Sequence, residues 1–193
     1  TCPGSIKSVI KGIIELVDAC KGCYATTGMY NMPNVKAPRI SNKEDWKRKD
    51  WVDDMVSAIF NDELFRWFDS GDAYDLRLTK KIKQVIERTP TTKHWFPTRQ
   101  HKFPKFAKVL AEIAALPNAV VRLSSDSING GIIAGDTTST IWNTKPPKGA
   151  FECGAYTREG QCKDCRACWD KNVKVVAYPG HGNKMLKVIR LQG

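Results

Sequence analysis

No apolar run in this 193-residue sequence approaches the roughly 18 residues that a membrane-crossing helix needs, which excludes a spanning segment. No stretch reads as a secretory leader: the apolar residues from Val9 to Val17 are interrupted by Lys11, Gly12 and Glu15. No low-complexity tract or long linker divides the chain. Its length therefore predicts one compact domain, with residues 1–127 carrying the βα units and residues 128–193 a cysteine-rich segment and a closing strand. Acidic residues are in short supply: 20 Asp and Glu against 31 Lys and Arg leave a net charge of +11. Such an excess attracts nucleic acid or other polyanions, or simply makes a solvated basic surface. The basic residues are spread out, with local clusters only at Lys47-Arg48-Lys49 and around Lys80-Lys81, and no recognition helix or aromatic RNA-binding motif accompanies them.

Cysteine, by contrast, is plentiful. Cys2, Cys20 and Cys23 lie at the front, and Cys153, Cys162, Cys165 and Cys168 lie in the pattern C-x8-C-x2-C-x2-C near the end. An odd count, tight C-x2-C steps and no leader favour thiolates on metal in a reducing cytoplasm over a secreted disulfide framework. Four thiolates close the coordination of a [4Fe–4S] cluster, whereas three leave one iron open for a ligand. The evenly stepped Cys162, Cys165 and Cys168, with Cys153 as fourth donor, fit such a cluster. Structural zinc is the alternative, usually held by two separated C-x2-C knuckles. The front pair Cys20 and Cys23 is less specific alone, since a single C-x-x-C also makes half a zinc knuckle or a redox pair.

The rest of the chain has a repeating rhythm. Two apolar runs around Lys11-Gly12 predict a hairpin between Cys2 and Cys20. Residues 31–41, with Pro33, Asn34 and Pro38, read as a loop, after which Ser41 or Asn42 caps a helix running to about Phe60. Strands at 64–68, 94–96 and 119–123 alternate with helices at about 75–88 and 104–116. The strand centres Trp67, Trp95 and Val121 are 28 and 26 residues apart, the length of a βα unit, which predicts a parallel sheet or barrel. Residues 129–150 read as loop with a short strand at 140–142; a last strand follows at 173–177, then a closing element at 184–190.

Parallel βα folds bind ligands beyond the carboxyl ends of their strands. Those ends carry Ser70-Gly71-Asp72, Thr98-Arg99, Ser124-Ser125-Asp126 and Gly180-His181, suited to an amino group, a carboxylate and a ribose. Each residue singly also serves as a turn or cap former. His101 and His181 fall in loops on that face, while His94 reads as a structural histidine. Trp67, Trp95, Trp142 and Trp169 read as core or cluster shielding.

The segments Thr1-Cys2-Pro3-Gly4, Cys20-Lys21-Gly22-Cys23-Tyr24-Ala25, Arg66-Trp67-Phe68-Asp69-Ser70-Gly71-Asp72, His94-Trp95-Phe96-Pro97-Thr98-Arg99, Arg122-Leu123-Ser124-Ser125-Asp126-Ser127 and Cys162 to Asp170 together resemble the phage and plasmid family called gene product 88. More distantly the chain is similar to radical S-adenosylmethionine enzymes. That likeness implies a partial (β/α) barrel, a cluster held by Cys2, Cys20 and Cys23 whose open iron takes the cofactor, and an auxiliary cluster on Cys153, Cys162, Cys165 and Cys168. It also implies Ser70, Gly71 and Asp72 near the cofactor's amino group, Arg99 at a carboxylate, and Ser124 and Asp126 toward its ribose. Radical enzymes space their three cysteines C-x3-C-x2-C, whereas here seventeen residues separate Cys2 from Cys20, and the chain begins at the first ligand. The resulting expectation is a cytoplasmic iron–sulfur protein of phage type with two [4Fe–4S] clusters, served by a cellular electron donor. As an enzyme it would be an oxidoreductase or transferase using S-adenosylmethionine. The rival readings are an electron-transfer or redox-sensing protein, and a basic nucleic-acid-binding module stapled by metal.

Overall fold

The computed structural model describes residues 2–134 and 137–191. Thr1 of the opening turn, and Gly135 and Asp136 of the loop read at 129–150, lie outside the described residues. The chain folds as α/β, with a six-stranded parallel sheet curled into a half-barrel.

The hairpin forms as the pattern predicts. Strands β1 (Ile6–Ile10) and β2 (Ile13–Leu16) pair antiparallel with Ile10 opposite Ile13. The turn between them needs two left-handed residues, supplied by Lys11 at φ 48° and Gly12 at φ 79°. A backbone bond from Val17 N to Ser5 O (2.9 Å) closes the root, and the one-turn helix α1 (Asp18–Lys21) follows.

The next stretch departs from the sequence reading. Residues 31–41 are mostly helical: α2 spans Pro33–Asp45, so Ser41 and Asn42 lie inside it and do not cap a helix. Pro33 sits in the first turn, where its missing N–H costs nothing, and Pro38 removes one interior donor. No residue of α2 is buried, so its sequence carries no apolar stripe to reveal it. The helix expected to continue to Phe60 is broken at 46–50, and α3 (Trp51–Ile59) starts afresh. Trp46 causes the break: it turns into the core, 4% exposed, and its Nε1 donates to the Tyr74 hydroxyl at 2.9 Å.

Two βα units then build the sheet: β3 (Leu64–Arg66), α4 (Leu76–Arg88), β4 (Lys93–Thr98), α5 (Pro104–Ala115) and β5 (Ala119–Ser124). The carboxylate of Asp75 caps α4, accepting from Arg77 N at 2.7 Å. Leu78, Ile82, Val85 and Ile86 of α4 and Phe106, Val109, Leu110 and Ile113 of α5 bury against Phe96 and Val121 of the sheet and against α3. This is the main core, and it coats the outer face of the sheet. His94 belongs to it as the sequence suggests. The ring is fully buried, its Nε2 lies 2.9 Å from the Thr89 hydroxyl, and Trp67 stacks on it at 6.1 Å.

Beyond β5 the chain adds β6 (Thr138–Trp142), β7 (Phe151–Glu152) and β8 (Val175–Pro179), giving the order β3-β4-β5-β6-β8-β7. The short strand β7 has no counterpart in the sequence reading; it is two exposed residues held only at the edge of β8. Helix α6 (Asn183–Arg190) closes the chain on α1. Strands from both sides of residue 127 share this one sheet. Among the described residues no helix is long and apolar enough to cross a membrane.

Candidate functional site

Alternation along β4 and β5 sends Phe96 and Val121 to the helices and Trp95 and Arg122 to the other face. There Trp95 packs with Cys168 and Val176, with Cys153, Trp169, Val173 and Tyr178 around them. The cysteine-rich segment thus fills the concave side of the sheet. Trp95 and Trp169 meet edge to face at 5.3 Å, and Trp169 Nε1 donates to Phe65 O at 3.1 Å. Trp67 instead lies in the helical core.

Cys168 is the buried member of the rear set; Cys153 and Cys165 are half-buried and Cys162 is exposed. Burial pushes the Cys168 thiol up to about 11, opposed by the Tyr178 hydroxyl at 3.3 Å and by the charge of Arg122. The charges of Cys153 and Cys162 add to the rise, and Cys153 in turn is raised by burial and by Cys162 and Cys165. The four thiols therefore share one electrostatic neighbourhood. Burial favours the protonated form of Cys153 and Cys168, and a bound metal would reverse that balance.

The front set gathers at the carboxyl ends of the strands. Ala19 N donates to Asp126 O at 3.0 Å, and Lys102 Nζ ties Gly4 O (3.0 Å) to the Asp126 carboxylate (2.6 Å). Gly4 lies so close to Arg99 that a Cβ there would stand 2.5 Å from the Arg99 Cβ. Between these anchors the Cys2 and Cys20 thiols are pushed up by burial, then by neighbours that include the Cys23 thiol, and are pulled down by Arg99. The hairpin thus returns the chain so that cysteines separated by seventeen residues face the same charges.

The other strand-end residues divide by role. Asp72, 7% exposed, is engaged through both oxygens: Oδ1 accepts from Ala73 N (2.8 Å) and the Thr98 hydroxyl (2.8 Å), and Oδ2 from Arg99 N (2.7 Å). It clamps the loop after β3 to the end of β4. Burial raises its carboxyl, against those three bonds. Gly71 is exposed at φ 93°, a conformation that suits glycine, beside half-buried Ser70. Arg99 holds Ser125 O at 2.9 Å and meets Asp126 Oδ1 at 3.3 Å, while its Nε and that Oδ1 make no other bond. Ser124 lies deeper, 3.4 Å from the Ser139 hydroxyl. Asp72, Arg99 and Asp126 adjoin the front cysteines, whereas Ser124 bonds inside the sheet. Among the described residues no three His, Cys, Asp or Glu side chains are set to hold a single metal ion.

A family model for gene product 88 matches residues 1–171. The chain belongs to the gene product 88 family. No curated protein and no solved structure matches it. The match takes in all seven cysteines, the three βα strand ends and Arg122, and stops before β8 and α6.

Sequence reasoning did not foresee several contacts of this gene product 88 protein. Tyr24 donates to Asp69 O at 2.5 Å and meets Tyr30 edge-on at 5.3 Å. Tyr156 is raised to about 12 by burial and then by the charges of Cys153 and Tyr24. His181 lies against the Tyr156 ring with centroids 3.6 Å apart. Tyr156 directly follows the Gly154-Ala155 turn after Cys153, and that proximity to a candidate ligand was its one sequence signal.

Proposed function

We propose that this chain is an iron–sulfur protein with two cluster sites, the rear one closed by Cys153, Cys162, Cys165 and Cys168 and the front one held by Cys2, Cys20 and Cys23. The observation that supports it most directly is the gathering of the three front thiols at the carboxyl ends of the parallel strands, beside Arg99. Soft thiol donors, half-buried and mutually repelling once ionised, suit a polynuclear iron–sulfur centre. Cys2, Cys20 and Cys23 would hold such a centre with one iron free of protein ligands, and it would supply the electron for reductive cleavage of S-adenosylmethionine. The chain's own contributions are more limited. Arg99 would meet the carboxylate of that ligand, Ser70 and Gly71 offer groups at the end of β3, and Asp126 holds Arg99 and Lys102 in place. Asp72 acts by clamping the loop after β3 to the end of β4. A cellular donor in a reducing cytoplasm would deliver the electrons.

A second reading, electron transfer without a substrate, draws on two facts. Both oxygens of Asp72 are already engaged, and Tyr156 feels the charges of both Cys153 of the rear set and Tyr24, the sequence neighbour of Cys23. The deciding experiment is the iron, acid-labile sulfide and zinc content of anaerobically purified protein. About eight irons per chain with matching sulfide is the expected result; zinc without sulfide would overturn both readings and favour a metal-stapled nucleic-acid binder. Reduced protein is then incubated with S-adenosylmethionine. Formation of 5′-deoxyadenosine supports the enzyme, and its absence under any strong reductant, with spectra that ignore the added compound, leaves the electron carrier.

A further inference from the structure

Among the described residues Arg122 is one of the largest fully buried side chains, at the end of an apolar run, Ala119-Val120-Val121, in the central strand β5. All five of its N–H donors reach backbone carbonyls. Nε donates to Cys168 O (3.0 Å), Nη1 to Val173 O (2.8 Å) and Thr138 O (3.5 Å), and Nη2 to Ala167 O (2.6 Å) and Asp170 O (2.8 Å). Those carbonyls neutralise none of its charge. Among the described residues Arg122 forms no ion pair, and the carboxylate with a charge effect on it, Asp170, is exposed and accepts from Asn172 N at 2.8 Å. The group whose charge acts on it most strongly is Cys168, followed by Tyr178.

A guanidinium enclosed at zero exposure without an anion is costly to keep. Purely structural gathering of carbonyls could be done by neutral amides, so the retained charge calls for a negative partner. We infer that Arg122 is the internal countercharge of the rear four-cysteine site, balancing thiolates on a metal centre and favouring its reduced state. The inference rests on the reading of that site as a cluster. Its effect is electrostatic: each added electron makes the centre more negative, and a fixed cation inside a poorly solvated core stabilises that form. Arg122 is thus a positioning residue for the ligand loop and at the same time sets its potential.

The test uses full-length protein carrying Cys20→Ser and Cys23→Ser, so that the rear centre alone is followed, by an electron-paramagnetic-resonance redox titration. In this background Arg122→Gln is expected to keep iron and sulfide while shifting the reduction equilibrium at least tenfold toward the oxidised form, about 59 mV for one electron. Arg122→Lys, which keeps the charge with fewer hydrogen bonds, is expected to stay within about threefold of the parent while melting at lower temperature. Should Arg122→Gln fail to fold, Arg122→Lys decides: a potential that falls tenfold although the charge is kept would overturn the inference. An unchanged midpoint in iron-loaded Arg122→Gln would overturn it too, leaving the cluster reading intact. If the parent background takes up no iron and sulfide, the cluster reading itself fails and the countercharge with it.

Discussion

Lowering the pH should unfold this protein in part through His94. The imidazole is fully buried between Phe65 and Trp67, with centroids 6.0 and 6.1 Å away. The single hydroxyl proton of Thr89 goes to Val85 O at 2.8 Å, so Thr89 Oγ1 accepts from His94 Nε2. Nδ1 is then an unprotonated nitrogen with no partner, and protonating it would place an N–H where nothing accepts it. Burial accordingly pulls the group down to about 4 from 6.5. The folded value lies below the unfolded one, so the unfolded chain binds the proton first. This contribution is fully present above the unfolded value near pH 6.5 and is lost as pH falls toward 4. The difference of somewhat over two units corresponds to about 3 kcal/mol. Urea unfolding of the wild type and His94→Leu at pH 7, 5.5 and 4 isolates the term, because acid effects on carboxylates and on bound metal are common to both. The stability gap between them should narrow by about 3 kcal/mol on going from pH 7 to 4. A gap that stays constant would refute the argument. If His94→Leu does not fold, the wild type's own proton uptake on unfolding near pH 5 serves, and the absence of an extra proton there would be equally damaging.

Four further outcomes follow from named contacts. Gly22→Ala would set a Cβ 2.6 Å from the Met185 Cα, so α6 must move off α1; a loss of about 1–3 kcal/mol in denaturant unfolding is expected. Asp72→Ala strands three donors, two of them on β4's end, and should cost about 2–4 kcal/mol; an unchanged melting curve would mean that the clamp is dispensable. Removing the α4 cap with Asp75→Ala should cost about 1 kcal/mol, read from the urea midpoint at unchanged slope. Cys153→Ser should lower the iron content and leave the front centre's spectrum in place, whereas loss of both signals would indicate a single shared site.

What could be read from the sequence was whatever follows from periodicity. Helix α4 was visible because Leu76, Ile82, Val85 and Ile86 fall at helical spacing; three of them are buried, and Leu78 is the buried leucine where Leu76 is only partly covered. The three βα strand ends were visible because unit length fixes their spacing. Helix α2 was hidden because it buries nothing and contains two prolines, and β7 because two exposed residues make no pattern. In the site, the cysteine sets were legible from their steps. The engagement of both Asp72 oxygens was not, since a carboxylate that binds a ligand and one that clamps backbone are the same letter. Arg122 left a faint trace: a lone cation after three apolar residues in a strand is expensive unless something inside the molecule needs its charge.

The hairpin has an evolutionary corollary. Because Ser8 opposes Glu15, Val9 opposes Ile14 and Ile10 opposes Ile13, cross-strand pairs can be removed or inserted near the tip without moving the root where Val17 joins Ser5. The interval between the first two cysteines is therefore free to drift, in paired steps, while the thiols it connects stay put. A compact three-cysteine signature is one way to write such a site. In this chain a two-stranded ribbon joins the first two cysteines, and its length sets the number of residues between them.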